Sequence, residues 1–348
     1  EMHQEISRAK VVVNIHYYEG ALLETARIYE CLSLNKVIVS ESSVDIDKHN
    51  ELLGIVDFVE VGDFDALCDK VVFWLANDDR RSEKAKENNS KLQKLPRWFE
   101  FYFFRFLLAN DDISFEQFYN LAGDNITFTN DFLCLSLPES VERQAGFSKD
   151  NHYGIQIVPG LRHKLGWVGC GLSYKFIMFK AEEHNFSQIT VCEDDVEFYE
   201  NTFARYQQTK QYLSTVGGKW DVFAGLIAEA NPDAKITRVD VYETQKYLHT
   251  DKMVSTVFNI YNRSFFKYLQ SWDSTNWDSS KNTIDRFIEN QNSLNAVVSI
   301  PFIAGHKEEM YSTLWSFQNV TYSEMISKAE CELAKKVEVF EMNKNISQ

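Results

Sequence analysis

Ile189-Thr190-Val191-Cys192-Glu193-Asp194-Asp195-Val196-Glu197-Phe198 is the stretch on which the reading of this chain turns. Its first four residues are apolar or β-branched and read as a buried strand. They run straight into three consecutive carboxylates, and an apolar residue follows at once. Acids at the carboxyl end of an interior strand sit where an α/β sheet opens to its ligand. Like charges so close repel, and removing them from water is costly. A divalent cation offsets both costs, and hard oxygen donors suit Mg²⁺ or Mn²⁺. A solvated turn after a strand is the plainer reading of the same residues.

The bulk numbers narrow the setting. At 348 residues the chain has room for two domains, since one core rarely grows past about 250–300 residues. Only 5 Pro and 14 Gly argue against disorder, and a net charge of −15 argues against nucleic acid as a partner. The six cysteines are scattered without a close pair, the usage of reduced, buried thiols in a cytoplasmic protein. No apolar run approaches the ~20 residues that span a bilayer, and no signal peptide is read. A start at Glu1 rather than Met is expected of a trimmed chain or of a piece of something longer.

Around the acidic stretch the chain alternates strand and helix. Upstream, Asp131 to Leu137 and Tyr153 to Val158 read as strands, and Gly166 to Ser173 as a glycine-bearing turn into a helix over Tyr174 to Asn185. Downstream, Trp220 to Ile227, Met253 to Tyr261 and Val297 to His306 read as further strands, the last running to a histidine. Short helices are expected at Phe265–Ser271 and Thr283–Ile288, with a polar loop between them that carries Trp272 and Trp277. At the amino end, Lys10–His16, Lys36–Ser40 and Ile55–Val61 are strands, and 21–34 and 64–77 are helices, with Asp63 or Asp65 as a cap. This is βαβ patterning and implies parallel sheet. The expected division is 1–80 as a small Rossmann-like parallel half-domain, 81–127 as a helical linker, 128–320 as a larger α/β domain with a mixed sheet, and 321–348 as a helical tail. The aromatic run Trp98 to Leu108 is expected to pack in a core or between domains, with contact to a membrane surface as the alternative.

Three ordered motifs carry a resemblance. Leu137-Pro138-Glu139-Ser140-Val141-Glu142-Arg143, Gly169-Cys170-Gly171-Leu172-Ser173 and Glu193-Asp194-Asp195-Val196 resemble, in order and separation, the pattern of glycosyltransferase family 25, GT-A-fold enzymes of lipooligosaccharide synthesis and collagen galactosylation. Tyr174 stands where that family usually has His. The likeness spans about residues 130 to 315. At the amino end, His16-Tyr17-Tyr18-Glu19-Gly20 through Val39-Ser40-Glu41 resembles the donor-binding half of GT-B glycosyltransferases, without an opposing lobe, and is read as a structural or docking remnant.

The resemblance implies a metal-dependent, inverting hexosyltransferase. A UDP-sugar would be the donor, with galactose or an N-acetylhexosamine as the sugar. A glycan or lipid-linked glycan would be the acceptor, at the cytoplasmic face of a membrane and in company with other glycosyltransferases. Asp195 is expected to ligate Mn²⁺ or Mg²⁺, with His306 as a second ligand. Glu193 and Asp194 are expected on ribose, sugar hydroxyls or metal-bound water. Arg143 is expected on the base or the phosphates, or in a surface salt bridge. Ser173 is placed in the donor site or as a helix cap. Asp285 is the candidate base that takes the acceptor's proton, with Arg286 charging its surroundings; an ordinary helix acid paired with a cation is the competing reading. A non-catalytic sugar-nucleotide-binding or docking module is the alternative for the whole chain. A hydrolase built on the same acids is disfavoured for want of a second cluster.

Overall fold

The computed structural model describes residues 2–94, 97–308 and 321–346. The chain divides into two compact units, Glu1–Arg97 and Trp98–Gln348. In the first, β1 (Val11–Asn14), β2 (Val37–Glu41) and β3 (Asp57–Val59) form a parallel sheet in that order. Helices α1 (Met2–Arg8), α2 (Thr25–Ser33), α3 (Phe64–Ala76) and α4 (Asp78–Leu92) accompany it. Asp63 caps α3 by accepting from the Ala66 amide, as its position predicts. The helix expected from residue 21 starts only at Thr25, because Gly20 turns the chain at φ +74°.

The described residues of 81–127 are mostly helical, and they divide between the two units instead of forming a segment of their own. Helix α4 belongs to the first, where Ala85 enters a core cluster and Asn88 donates to the Ile55 carbonyl. Helices α5 (Trp98–Ala109) and α6 (Phe115–Ala122) belong to the second, whose core takes in Phe101, Leu108, Phe115 and Phe118.

The second unit is a mixed α/β fold on an eight-stranded sheet. Along the chain come β4 (Phe132–Ser136), α7 (Val141–Asp150), β5 (Gln156–Pro159), α8 (Gly166–Glu183), β6 (Gln188–Glu193), β7 (Val196–Phe198) and α9 (Thr202–Val216). Then follow β8 (Val222–Ala224), β9 (Ile236–Tyr242), β10 (Gln245–Thr250), β11 (Phe258–Asn262), α10 (Arg263–Gln270), α11 (Ser279–Asn282) and α12 (Ile284–Glu289). The series ends with β12 (Ala296–Ile300), β13 (Ala304–His306) and α13 (Tyr322–Ile346). The sheet order is β5-β4-β6-β11-β8-β12-β10-β9, and β13 pairs with β7 in a separate ribbon. Strands β5, β4 and β6 are parallel, and β11 enters antiparallel between β6 and β8.

Helices cover both faces. Tyr261 of β11 meets Tyr174 of α8, whereas Phe258, three residues earlier and so on the opposite face, meets Tyr206 of α9. Such two-sided cover explains the unbroken apolar runs in β6 and β11. Three expectations shift in detail. The turn expected at 166–173 is already helix, since α8 begins at Gly166. The strand expected over 297–306 breaks after Ile300, because Pro301 has no amide to give to a ladder. The segment expected as a tail, α13, is part of the second unit's core, for Ile326, Leu333 and Val337 join it.

Candidate active site

Strand β6 ends at Glu193, and Asp194 and Asp195 form the turn into β7. Antiparallel pairing of β7 with β13 sets Val196 opposite His306, so the histidine arrives beside Asp195. The turn is buried: Asp194 is 3% exposed and Asp195 7%. Each oxygen of Asp194 is engaged, for Ser136 Oγ donates to Oδ2 at 2.5 Å and Arg143 Nε to Oδ1 at 2.7 Å. Arg143 Nη2 donates to the same Oδ1 and also to Asp195 Oδ2 at 2.7 Å. His306 Nε2 lies 3.3 Å from Asp195 Oδ2, while its Nδ1 donates to the Lys307 carbonyl at 2.7 Å.

Arg143 is therefore not a surface ion pair; its fork clamps two adjacent acids while it also lines the cavity beside them. Asp194 holds the turn, and Ser136, which the sequence reading passed over, is its second anchor. Two carboxylate oxygens are left over. Asp195 Oδ1 and Glu193 Oε1 are shut off from solvent and have no hydrogen-bond partner among the described residues. Burial, with Asp195 adding to it, pushes the Glu193 carboxyl up to about 7. Burial pushes Asp195 up as well, but the His306 contact and the Arg143 charge outweigh it and hold that carboxyl below the usual range. His306 is raised in turn, since its bond to Asp195 overcomes the effect of burial.

A cavity of about 630 Å³ opens against this turn. One wall carries Ser136, Arg143, Glu193 and Asp194, and the other is the loop Gly160–Leu165 with the first turns of α8. Arg162, His163 and Lys164 give that loop a basic rim in an acidic chain. Arg162 reaches Glu139 at 3.5 Å, and His163 and Lys164 reach Asp111 at 3.0 and 2.6 Å. The triplet Arg-His-Lys after Pro159-Gly160 was a legible signal that the sequence reading left unused. Ser173 lines the cavity, but its hydroxyl accepts from the Leu161 amide at 2.8 Å and donates to the Gly169 carbonyl at 2.7 Å. It sits in the third turn of α8, so it ties helix to loop and caps nothing. Gly169 permits that approach, because a Cβ there would lie 3.0 Å from Leu161 O and His163 N. His306 lines a second cavity of about 530 Å³, near α13.

Asp285 opens α12 half-buried, and no ion pair to it is found among the described residues. Its charge bears on the Cys170 thiol of the first cavity wall, which burial already raises far above its usual value. Arg286 turns away from it to Glu229 and Glu289, at 2.6 and 2.8 Å. The cation expected to charge the surroundings of Asp285 is thus engaged elsewhere.

Among the described residues no three His, Cys, Asp or Glu side chains are grouped to hold a metal by themselves. The two orphaned oxygens, Glu193 Oε1 and Asp195 Oδ1, are hard donors of the type Mg²⁺ takes, and that ion is commonly held through one or two carboxylates and completed by phosphate oxygens and water. No protein-family model matches the chain, and no curated protein matches it either. No helix among the described residues is long and apolar enough to cross a membrane.

Proposed function

We propose that the second unit is a GT-A-like glycosyltransferase domain that moves a sugar from a UDP-sugar to a glycan acceptor. The observation that carries this reading is a pair of buried carboxylate oxygens, Glu193 Oε1 and Asp195 Oδ1, without a partner among the described residues, at the carboxyl edge of the sheet where Glu193 and Asp194 line a cavity with a basic rim. Glu193 Oε1 and Asp195 Oδ1 would hold Mg²⁺ or Mn²⁺, with His306 within reach of Asp195. The bound cation supplies Lewis-acid neutralisation of the departing diphosphate. Arg143 keeps Asp194 and Asp195 ionised and oriented, and Arg162 and Lys164 attract the anionic donor to the cavity. Asp285, with no cationic partner among the described residues, accepts the acceptor hydroxyl's proton in an inverting transfer. The three motifs that resemble glycosyltransferase family 25 point to galactose or an N-acetylhexosamine as the sugar. They also point to a glycan or lipid-linked glycan acceptor at the cytoplasmic face of a membrane, with other glycosyltransferases alongside.

For the first unit a docking role is favoured, as a GT-B-like half without catalysis. At its carboxyl edge Asn14 bonds Glu24 and Ser40, His16 bonds Glu24 and the Ser42 carbonyl, and Glu41 takes the His16 and Gly62 amides. Polar groups that satisfy one another leave little for a diphosphate, and Glu24 at the N-terminus of α2 repels one.

Thermal denaturation with UDP, with and without Mn²⁺, tests the proposal. At a hundredfold excess over Kd a bound ligand adds about 2.7 kcal/mol. Stabilisation by UDP that requires the metal and disappears in Asp195→Ala is the expected result. In Asp285→Asn that stabilisation should persist while acceptor-dependent UDP release falls by about two orders of magnitude or more. Absence of any nucleotide response with metal present would sink the reading.

A further inference from the structure

Trp277 is 64% exposed, in contrast to Trp272, which is fully buried. Lys164 Nζ stands 5.9 Å from the centre of the Trp277 ring, and Lys164 lines the first cavity, so the indole is at that cavity's rim. A single exposed aromatic residue is ordinary on a protein surface. This one is presented by a loop with an elaborate internal frame. Asn282, itself buried, donates through Nδ2 to the carbonyls of Asp273 and Asn276, both at 2.7 Å. Its own carbonyl accepts from the Trp272 indole at 2.9 Å. Asp273 takes the Thr275 amide and hydroxyl, and Asp278 takes those of Ser280. The Trp272 ring is seated against Gly171, where a Cβ would lie 2.3 Å from it. The frame thus runs from α8 at the cavity wall to the loop that leads into Asp285.

We infer that Trp277 is an acceptor platform, its indole stacking on the apolar C–H face of a pyranose whose hydroxyl is turned toward the transfer site. This rests on the glycosyltransferase reading. A pyranose has one apolar face and a ring of hydroxyls, and Trp277 offers one apolar face among exposed Thr275, Asn276 and Asp278. A lipid chain or an apolar peptide would call for a contiguous apolar patch, which these polar neighbours interrupt.

The test uses the full chain and three probes: methyl β-galactoside, methyl β-glucoside and methyl N-acetyl-β-glucosaminide. Tryptophan emission should change with at least one glycoside, and the change should vanish in Trp277→Phe. Glycoside-stimulated UDP release from UDP-galactose should need about tenfold more glycoside for half-saturation in Trp277→Ala, with Trp277→Tyr restoring most of it and donor half-saturation unmoved. An unaltered melting temperature in each variant shows that the loop still folds. Equal glycoside responses in wild type and Trp277→Phe, or none with any probe, would overturn the inference. UDP–Mn²⁺ stabilisation without a glycoside response sinks the platform alone. The reverse pattern sinks the transferase reading and leaves Trp277 a sugar-binding site.

Discussion

Arg143 shows how much a single side chain settles here. Its side chain is 15% exposed and faces two carboxylates that are more deeply buried still. Removing one partner of a buried ion pair costs about 3–5 kcal/mol, since the remaining charge is stranded. Arg143→Ala is therefore expected to lower unfolding stability by about 3 kcal/mol or more in denaturant titrations. A loss near zero would mean that the acids are protonated without it. Arg105 offers a milder case at the other end of the cavity wall. It donates to the Gly160 carbonyl and to both oxygens of Glu139, and that bond holds the Glu139 carboxyl down at about 2. An unfolded glutamate titrates near 4.5. The stabilisation is thus complete above that pH and is lost as the pH falls toward 2. The gap in denaturation midpoint between wild type and Glu139→Gln should be widest at neutral pH and close in acid; a gap that is constant with pH would contradict the pairing.

Helix α5 shows what an element adds to its residues. The run Trp98 to Leu108 was expected in a core or between domains, with membrane-surface contact as the alternative, and a helix has two faces. Phe101, Arg105 and Leu108 turn into the core, while Phe99, at 82% exposed, Phe103 and Phe106 turn out. The bare face keeps membrane-surface contact within the proposed setting. Phe101→Ala should cost about 3–5 kcal/mol by leaving a cavity, whereas Phe99→Ser should change stability by less than about 0.5 kcal/mol. Equal costs would show that the outer face is covered after all. In α6 a capping box joins Ser114 and Gln117 reciprocally, so Ser114→Ala should cost about 1 kcal/mol.

At the scale of the molecule, the second unit has a continuous core, and the first has two small clusters of its own. Separate cores predict separate unfolding transitions in calorimetry, and a fragment over 98–348 that keeps its fold and its response to UDP with Mn²⁺. A fragment that is unfolded would show that the units are one cooperative body. Most strands were legible because an interior strand must be apolar on both faces, as in Ile189–Cys192, and because glycine and proline punctuate their ends. The hairpin of β9 and β10 was missed, since Ile236–Tyr242 mixes charged and apolar residues at a sheet edge. Helix α9 was missed because aromatic and polar residues alternate along it without one clean apolar stripe. By itself the sequence determined the α/β alternation, the acidic triplet at a strand's end and the residue types gathered for chemistry. Only the tertiary structure decided which carboxylate oxygens are tied down by Arg143 and Ser136, which have no partner among the described residues, and that the Arg286 side chain faces away from Asp285. Local composition governs whether a segment extends or coils; partners distant in the chain meet only when the whole sheet closes, and hydrogen bonds reach about 3 Å.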